Sequence, residues 1–126
     1  MKAYLINAKD EYVVEVDCKD YDHKRELLNC RMLELYPYKV NGNDIWTDEE
    51  GNLKEYNYFF TLDDVIISGN AIILSYDDEG ESTDVKDLTI QELKSRVKYM
   101  GKRYIDQEKL FSNFTIEEWK IWKYIE

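Results

Sequence analysis

Apolar and polar positions change their period near residue 88, dividing the 126-residue chain into a strand-rich part and a helical part. Ala3 to Asn7 is a short apolar run and Asn7-Ala8-Lys9-Asp10 has turn composition. Tyr12, Val14 and Val16 then alternate with Val13, Glu15 and Asp17. Two such runs around a polar break predict a hairpin. Asp20 or Asp22 can cap a short helix by accepting from the free N–H groups of its first turn, and Asn29 supplies a left-handed stop after Leu28. Cys30 to Val40 alternates again. Pro37 donates no ladder hydrogen bond, so it marks a strand end or edge. Asn41-Gly42-Asn43 predicts a tight turn, because Asn and Gly tolerate positive φ. A strand at Ile45 to Thr47, an acidic turn from Asp48 to Asn52 and a strand from Leu53 into Tyr56, Tyr58, Phe59 and Phe60 predict a second hairpin or meander. Ala71 to Tyr76 is continuously apolar, the pattern of a central strand covered on both faces.

Beyond this the spacing becomes helical. Asp77 to Asp87 is polar and acidic, which predicts a loop. Thr89-Ile90-Gln91-Glu92 is a capping box, and a helix bearing Leu93, Val97 and Met100 should run from it to Gly101. Tyr104 to Asn113 can form another short helix. A second box, Thr115-Ile116-Glu117-Glu118, opens a C-terminal helix with Trp119, Trp122 and Ile125 on one stripe. The expected fold class is α+β: a mainly antiparallel, curved sheet of five or six strands, a short N-terminal helix and a helical C-terminal tail. Residues 1–88 form the acidic body in this reading. Residues 89–126 form a helical extension packed on the same single domain.

Charge sharpens the division. Residues 1–88 hold 21 acids and 9 bases, a balance of −12, and residues 89–126 hold 6 acids and 8 bases, a balance of +2; together they give the net −10. A body this acidic repels a phosphate backbone, whose binding depends on cations displacing counterions, so direct nucleic-acid binding is not expected. An acidic surface suits a basic protein partner or simply maintains solubility. Cys18 and Cys30 are too far apart for zinc-ligand or redox spacing. With no apolar signal segment at the start, they read as reduced thiols in a cytoplasmic protein. No apolar run reaches the ~18 residues of a membrane span.

Catalytic chemistry finds little footing. His23 is the one histidine and sits among Asp22, Lys24, Arg25 and Glu26, where an exposed surface role is expected. The five glycines are scattered singly, which excludes glycine-rich phosphate loops. Neither Asp48-Glu49-Glu50 nor Asp77-Asp78-Glu79 with Asp84 follows the ligand spacing of a calcium loop, and both read as solvated acidic turns. No catalytic residue, metal or cofactor is therefore expected. Lys94, Arg96, Lys98, Lys102 and Arg103 gather cations that can offset the protein's own acidic body or stay solvated.

Two aromatic surfaces remain as candidate binding sites. Asp48, Glu49 and Glu50 with Trp46, Tyr36 and Tyr58 would make an acidic, aromatic partner-binding face, since tyrosine suits interfaces. Trp119, Trp122 and Phe114 would join copies of the chain into a homodimer if their stripe is not absorbed by the core. A different possibility is a small-ligand pocket for nucleotide-like molecules lined by Tyr36, Trp46, Tyr56 and Tyr58.

The order of pieces also resembles a known family. Met1-Lys2-Ala3-Tyr4-Leu5-Ile6, a short helix ending at Leu27-Leu28-Asn29-Cys30, and Met32 to Tyr36 come first. Asp48-Glu49-Glu50-Gly51 and then the Asp64 to Leu74 block with Ile67-Ser68-Gly69-Asn70-Ala71-Ile72-Ile73 follow. Over about residues 1–100 this resembles the small phage and mobile-element proteins of domain of unknown function 3846. The chain departs from the family pattern in its heavier aromatic loading and in lacking the Asn that often follows the acidic turn in a short apolar segment, unless Asn57 serves. The resemblance implies an intracellular protein of a phage, plasmid or host carrying such an element, and no catalytic residue. The expected function is non-enzymatic binding of a host protein in the bacterial cytoplasm, with the acidic face imitating nucleic acid or inhibiting a defence or transcription protein.

Overall fold

The computed structural model describes residues 1–105. The chain runs through β1 (Lys2–Asn7), β2 (Tyr12–Asp17), α1 (Tyr21–Leu28), β3 (Leu33–Leu35), β4 (Asp44–Asp48), β5 (Tyr56–Leu62), β6 (Val65–Ser68), β7 (Ala71–Tyr76), β8 (Ser82–Thr83), α2 (Ile90–Arg96) and β9 (Val97–Tyr104). The class is α+β, with antiparallel pairing throughout the named strands. One sheet has six strands, within the five or six expected, and a second sheet of three strands was not expected. One has the order β2-β1-β7-β4-β3 with β8 added to β7, and the other the order β6-β5-β9.

β7 explains the layering. Its residues Ala71 to Leu74 are fully buried although successive side chains point to opposite faces. Ala71 and Ile73 join Tyr4, Ile6 and Ile45 in a core shared with Phe60, Leu62 and Ile67 of the second sheet and with Leu93 of α2. Ile72 and Leu74 point the other way, into a core with Ala3, Leu5, Cys18 and Leu28 that α1 closes. Burial of each such side chain contributes roughly 1.5–3 kcal/mol, so a strand covered on both sides is the fold's strongest anchor. Leu93 and Val97 share the core of the strand-rich body, so the described part of the 89–126 segment packs directly into it.

The short helix has the expected caps. Asp20 accepts from the His23 N–H, and Asn29 is left-handed with its N–H donating back to Glu26. It is not at the N-terminus, however: the hairpin of β1 and β2 precedes it. Asn41 and Gly42 have positive φ, as the turn requires, and Val40 and Asn43 bridge across it.

Three expectations need correction. The helix from the Thr89 cap ends at Arg96 instead of reaching Gly101, and the chain passes straight into β9. Val97, Tyr99 and the residues after them find a ladder along β5 interrupted by one bulge at Met100, whereas an isolated third turn of helix would gain only weak local bonds. The described chain therefore ends in a strand where a helical tail was expected; Tyr104 itself is in β9. The predicted hairpin of β4 with β5 is not formed, because β4 lies between β3 and β7 while β5 belongs to the other sheet. The helices predicted within Tyr104 to Asn113 and over Trp119 and Trp122 lie outside the described residues beyond Ile105.

Candidate functional site

The acidic turn is largely committed to the fold. Asp48 accepts from the Glu50 N–H at 2.9 Å and lies 3.7 Å from the Lys54 ammonium. Glu50 pairs with Arg31 at 2.7 Å. Glu49 alone of the three is exposed and outside any ion pair among the described residues. Behind the turn, the Asn57 side-chain amide donates to the Gly51 carbonyl at 3.0 Å, while its Oδ1 accepts from the Tyr58 N–H. Gly69 sits against the same amide. Asn57 thus fastens the acidic turn to β5, and the Gly69 N–H donates to the neighbouring Tyr58 carbonyl at 2.7 Å, which brings the Ser68-Gly69 corner against the same amide.

The partner-binding aromatics do not form one face. Tyr36 and Tyr58 pack against the core between the sheets, and Tyr36 donates to the Ile66 carbonyl at 2.8 Å. Trp46 packs against the opposite core, beneath α1. The register dictates this: Ile45 faces the core between the sheets, so its neighbour Trp46 must face away. Tyr56 is exposed, with the Lys102 ammonium 4.0 Å over its ring. The pocket of Tyr36, Trp46, Tyr56 and Tyr58 is therefore not assembled. Trp119, Trp122 and Phe114 lie outside the described residues.

Trp46 lines a different site, which the sequence reading missed. A cleft of about 410 Å³ is bounded by Met1, Lys19, Asp20, Tyr21 and Lys24, by Trp46, and by Gly80, Glu81 and Ser82 of the β7–β8 turn. Lys24 is only 5% exposed. Its ammonium donates to the Ser82 hydroxyl at 2.7 Å and stands 4.2 Å from the centre of the Trp46 ring. Burial pushes its pKa below the ordinary lysine value, against weaker pulls upward from Cys18, Asp44 and Glu81. Trp46 Nε1 is buried with no acceptor among the described residues. The available signal was Lys24 at the helical position four before Leu28, on the stripe that packs against the sheet. A lysine there reads as surface until burial is known.

The basic residues mostly serve the fold. Arg96 holds Asp63 with two hydrogen bonds, one from Nε at 2.8 Å, and Tyr38 donates to the same carboxylate at 2.6 Å. The Arg96 guanidinium and the Tyr38 hydroxyl hold the Asp63 pKa below its usual range despite partial burial. This clasp ties the segment after β3 to the β5–β6 turn and to α2. Arg103 is buried and donates to the Met100 carbonyl. His23 is half-buried, not exposed, and its Nδ1 accepts from the Lys19 N–H, so it acts as part of the helix start. Cys18 and Cys30 are free thiols. Among the described residues no three His, Cys, Asp or Glu side chains converge on a metal position, and no helix is long and apolar enough to cross a membrane.

Neither the curated proteins nor the solved structures contain a match to this chain. The family model described as "Domain of unknown function (DUF3846)" matches residues 1–98. That span takes in both cores, the acidic turn and the Asn57 bond that fastens the turn to β5. The chain belongs to the DUF3846 family.

Proposed function

We propose that this is a non-enzymatic binding protein whose acidic surface engages a basic protein partner. The observation that carries the reading is the β7–β8 turn. Asp77, Asp78 and Glu79 are consecutive, exposed and outside any ion pair among the described residues, beside the part-exposed ring of Tyr76. Fixed unpaired charge of this kind raises the rate and selectivity of encounter with an oppositely charged surface. Asp77 also accepts from the N–H groups of Glu79 and Glu81, which holds the turn in one shape. Such a row of carboxylates on a rigid turn is suited to imitating nucleic acid before a basic channel, in a phage- or element-bearing bacterial cytoplasm. Glu49 is also exposed and unpaired among the described residues but lies at the other end of β7, beyond the Thr47–Ala71 pair, so it stands apart from this row, and Asp48 and Glu50 are already paired.

The test is capture from a bacterial lysate at low and high salt with the full chain and with a variant carrying D77N, D78N and E79Q. The asparagine introduced by D77N keeps the acceptor that shapes the turn, so the fold is retained. The expected result is a protein retained by the wild-type chain at low salt only and lost by the variant. A partner held equally by both, or no salt-sensitive partner, overturns the reading.

A further inference from the structure

The buried ammonium of Lys24 has a use that neither the fold nor the acidic surface supplies. An ammonium carries three N–H donors. Lys24 spends one on the Ser82 hydroxyl and presents another side to the Trp46 ring, and no carboxylate among the described residues lies within ion-pair distance. Burying an unpaired cation is costly even after the surroundings relax. A purely structural side chain here would cost less as methionine. The Trp46 ring lines the same cleft, and its N–H is buried without an acceptor among the described residues. Lys24 is therefore the charged donor at the floor.

The rim is mixed and net negative. Asp20 and Glu81 bound the cleft, are exposed and enter no ion pair among the described residues, against the one exposed ammonium of Lys19. Tyr21 adds a half-exposed ring. Met1 also lines the cleft, but its ammonium is occupied by Asp17 and by the Cys18 carbonyl, both at 2.9 Å. The charge therefore runs from a cation inside to a rim with two carboxylates and one ammonium outside. A phosphate ester would meet the repulsion of the rim with its larger charge. A simple cation would meet that of the floor. A molecule with one carboxylate and a nearby ammonium satisfies both, and the cleft volume lies in the range of small-molecule sites.

We infer that this cleft is a binding site for a free amino acid. The ligand carboxylate accepts from Lys24 Nζ, the ligand ammonium donates to Glu81 or Asp20, and an apolar side chain lies against Tyr21. The inference stands apart from the engagement of a protein partner, and its test uses small molecules only. The indole ¹⁵N–H resonance of Trp46, assigned by its loss in W46F, is followed in the full chain as each common free amino acid is added in turn at millimolar concentration. At least one should shift it saturably. The amide of that amino acid, lacking the carboxylate, and its N-acetyl form, lacking the ammonium, should each bind at least about tenfold more weakly, the loss of one charge-assisted hydrogen bond. K24M should abolish the shift. If no amino acid moves the resonance, or if the amide or the N-acetyl form binds as tightly, the inference fails. Those arms use the wild-type chain, so they decide the matter even if K24M does not fold.

Discussion

Gly51 lies so close to Ser68 that a methyl group on its Cα would stand 2.8 Å from the Ser68 hydroxyl oxygen. The next obstacle is the Asp48 carbonyl at 3.2 Å, which is backbone and cannot swing aside. G51A should therefore destabilise the protein by about 1–3 kcal/mol through overpacking. Adding S68A removes the nearer obstacle, so the double variant should recover part of the loss. Urea unfolding of the four members of the cycle measures this, and strictly additive effects would contradict the contact.

Asp63 gives a pH prediction with a definite sign. Its carboxyl is held below the ordinary range by Arg96 and Tyr38, so its contribution is complete above the unfolded value of about 4. It is lost as pH falls through the folded value. D63N preserves the left-handed backbone, which asparagine tolerates, and removes the charge. Both partners are about a quarter exposed at the side chain, so the cost at neutral pH should be about 1–2 kcal/mol, less than for a fully buried pair. Below pH 4 the difference from wild type should shrink. A constant difference across that window would mean the pairing is not what stabilises the clasp.

Asn43 is fully buried and makes a closed set of bonds. Its side-chain N–H group donates to the Val40 carbonyl at 2.9 Å and the Lys86 carbonyl at 2.7 Å, and its oxygen accepts from the Lys86 N–H at 2.9 Å. N43A should cost about 2–4 kcal/mol, because it strands buried backbone groups as well as losing their bonds. N43D should be at least as harmful at pH 7, since a carboxylate has no proton to give the two carbonyls. Thermal unfolding of both variants checks the order.

The two thiols should differ in access. Burial pushes both above the ordinary cysteine value, and Cys18 is fully covered whereas Cys30 is partly exposed. Alkylation at neutral pH should modify Cys30 first and slowly. Cys18 should react only at the rate of unfolding, and so its labelling should accelerate with added urea. Equal labelling of both in the native state would show that α1 opens readily.

Much of the fold is legible in local pattern. The hairpin of β1 and β2, the caps at Asp20 and Asn29, the Asn41-Gly42 turn and the doubly buried run at Ala71 to Leu74 each depend on neighbouring residues, and their chemistry is visible in a short window. The division into two sheets is not, because the partners of β4 and β5 are chosen by distant segments. The same reason hides the end of α2: Val97 and Met100 continue its helical spacing up to Gly101, and only the ladder offered by β5 makes this stretch a strand. The site was half visible. Trp46 stood out as a large aromatic, but its face was set by register, and its true neighbours are Lys24, twenty-two positions earlier, and Ser82, thirty-six later.

The position of β7 has a consequence for how the chain acquires its shape. β1 is made first, yet its inner partner is Ile73 for Tyr4 and Ala71 for Ile6, more than sixty positions downstream. β4 waits for the same strand. On the ribosome, the earlier strands must emerge with unpaired edges until β7 arrives and closes both gaps at once. Such non-local pairing belongs to the slow end of two-state folding, roughly milliseconds to seconds. In that interval the capped helix α1 and the hairpin of β1 and β2 are the pieces able to hold local order, and the chain's acidity helps keep neighbouring copies apart while the centre is still missing.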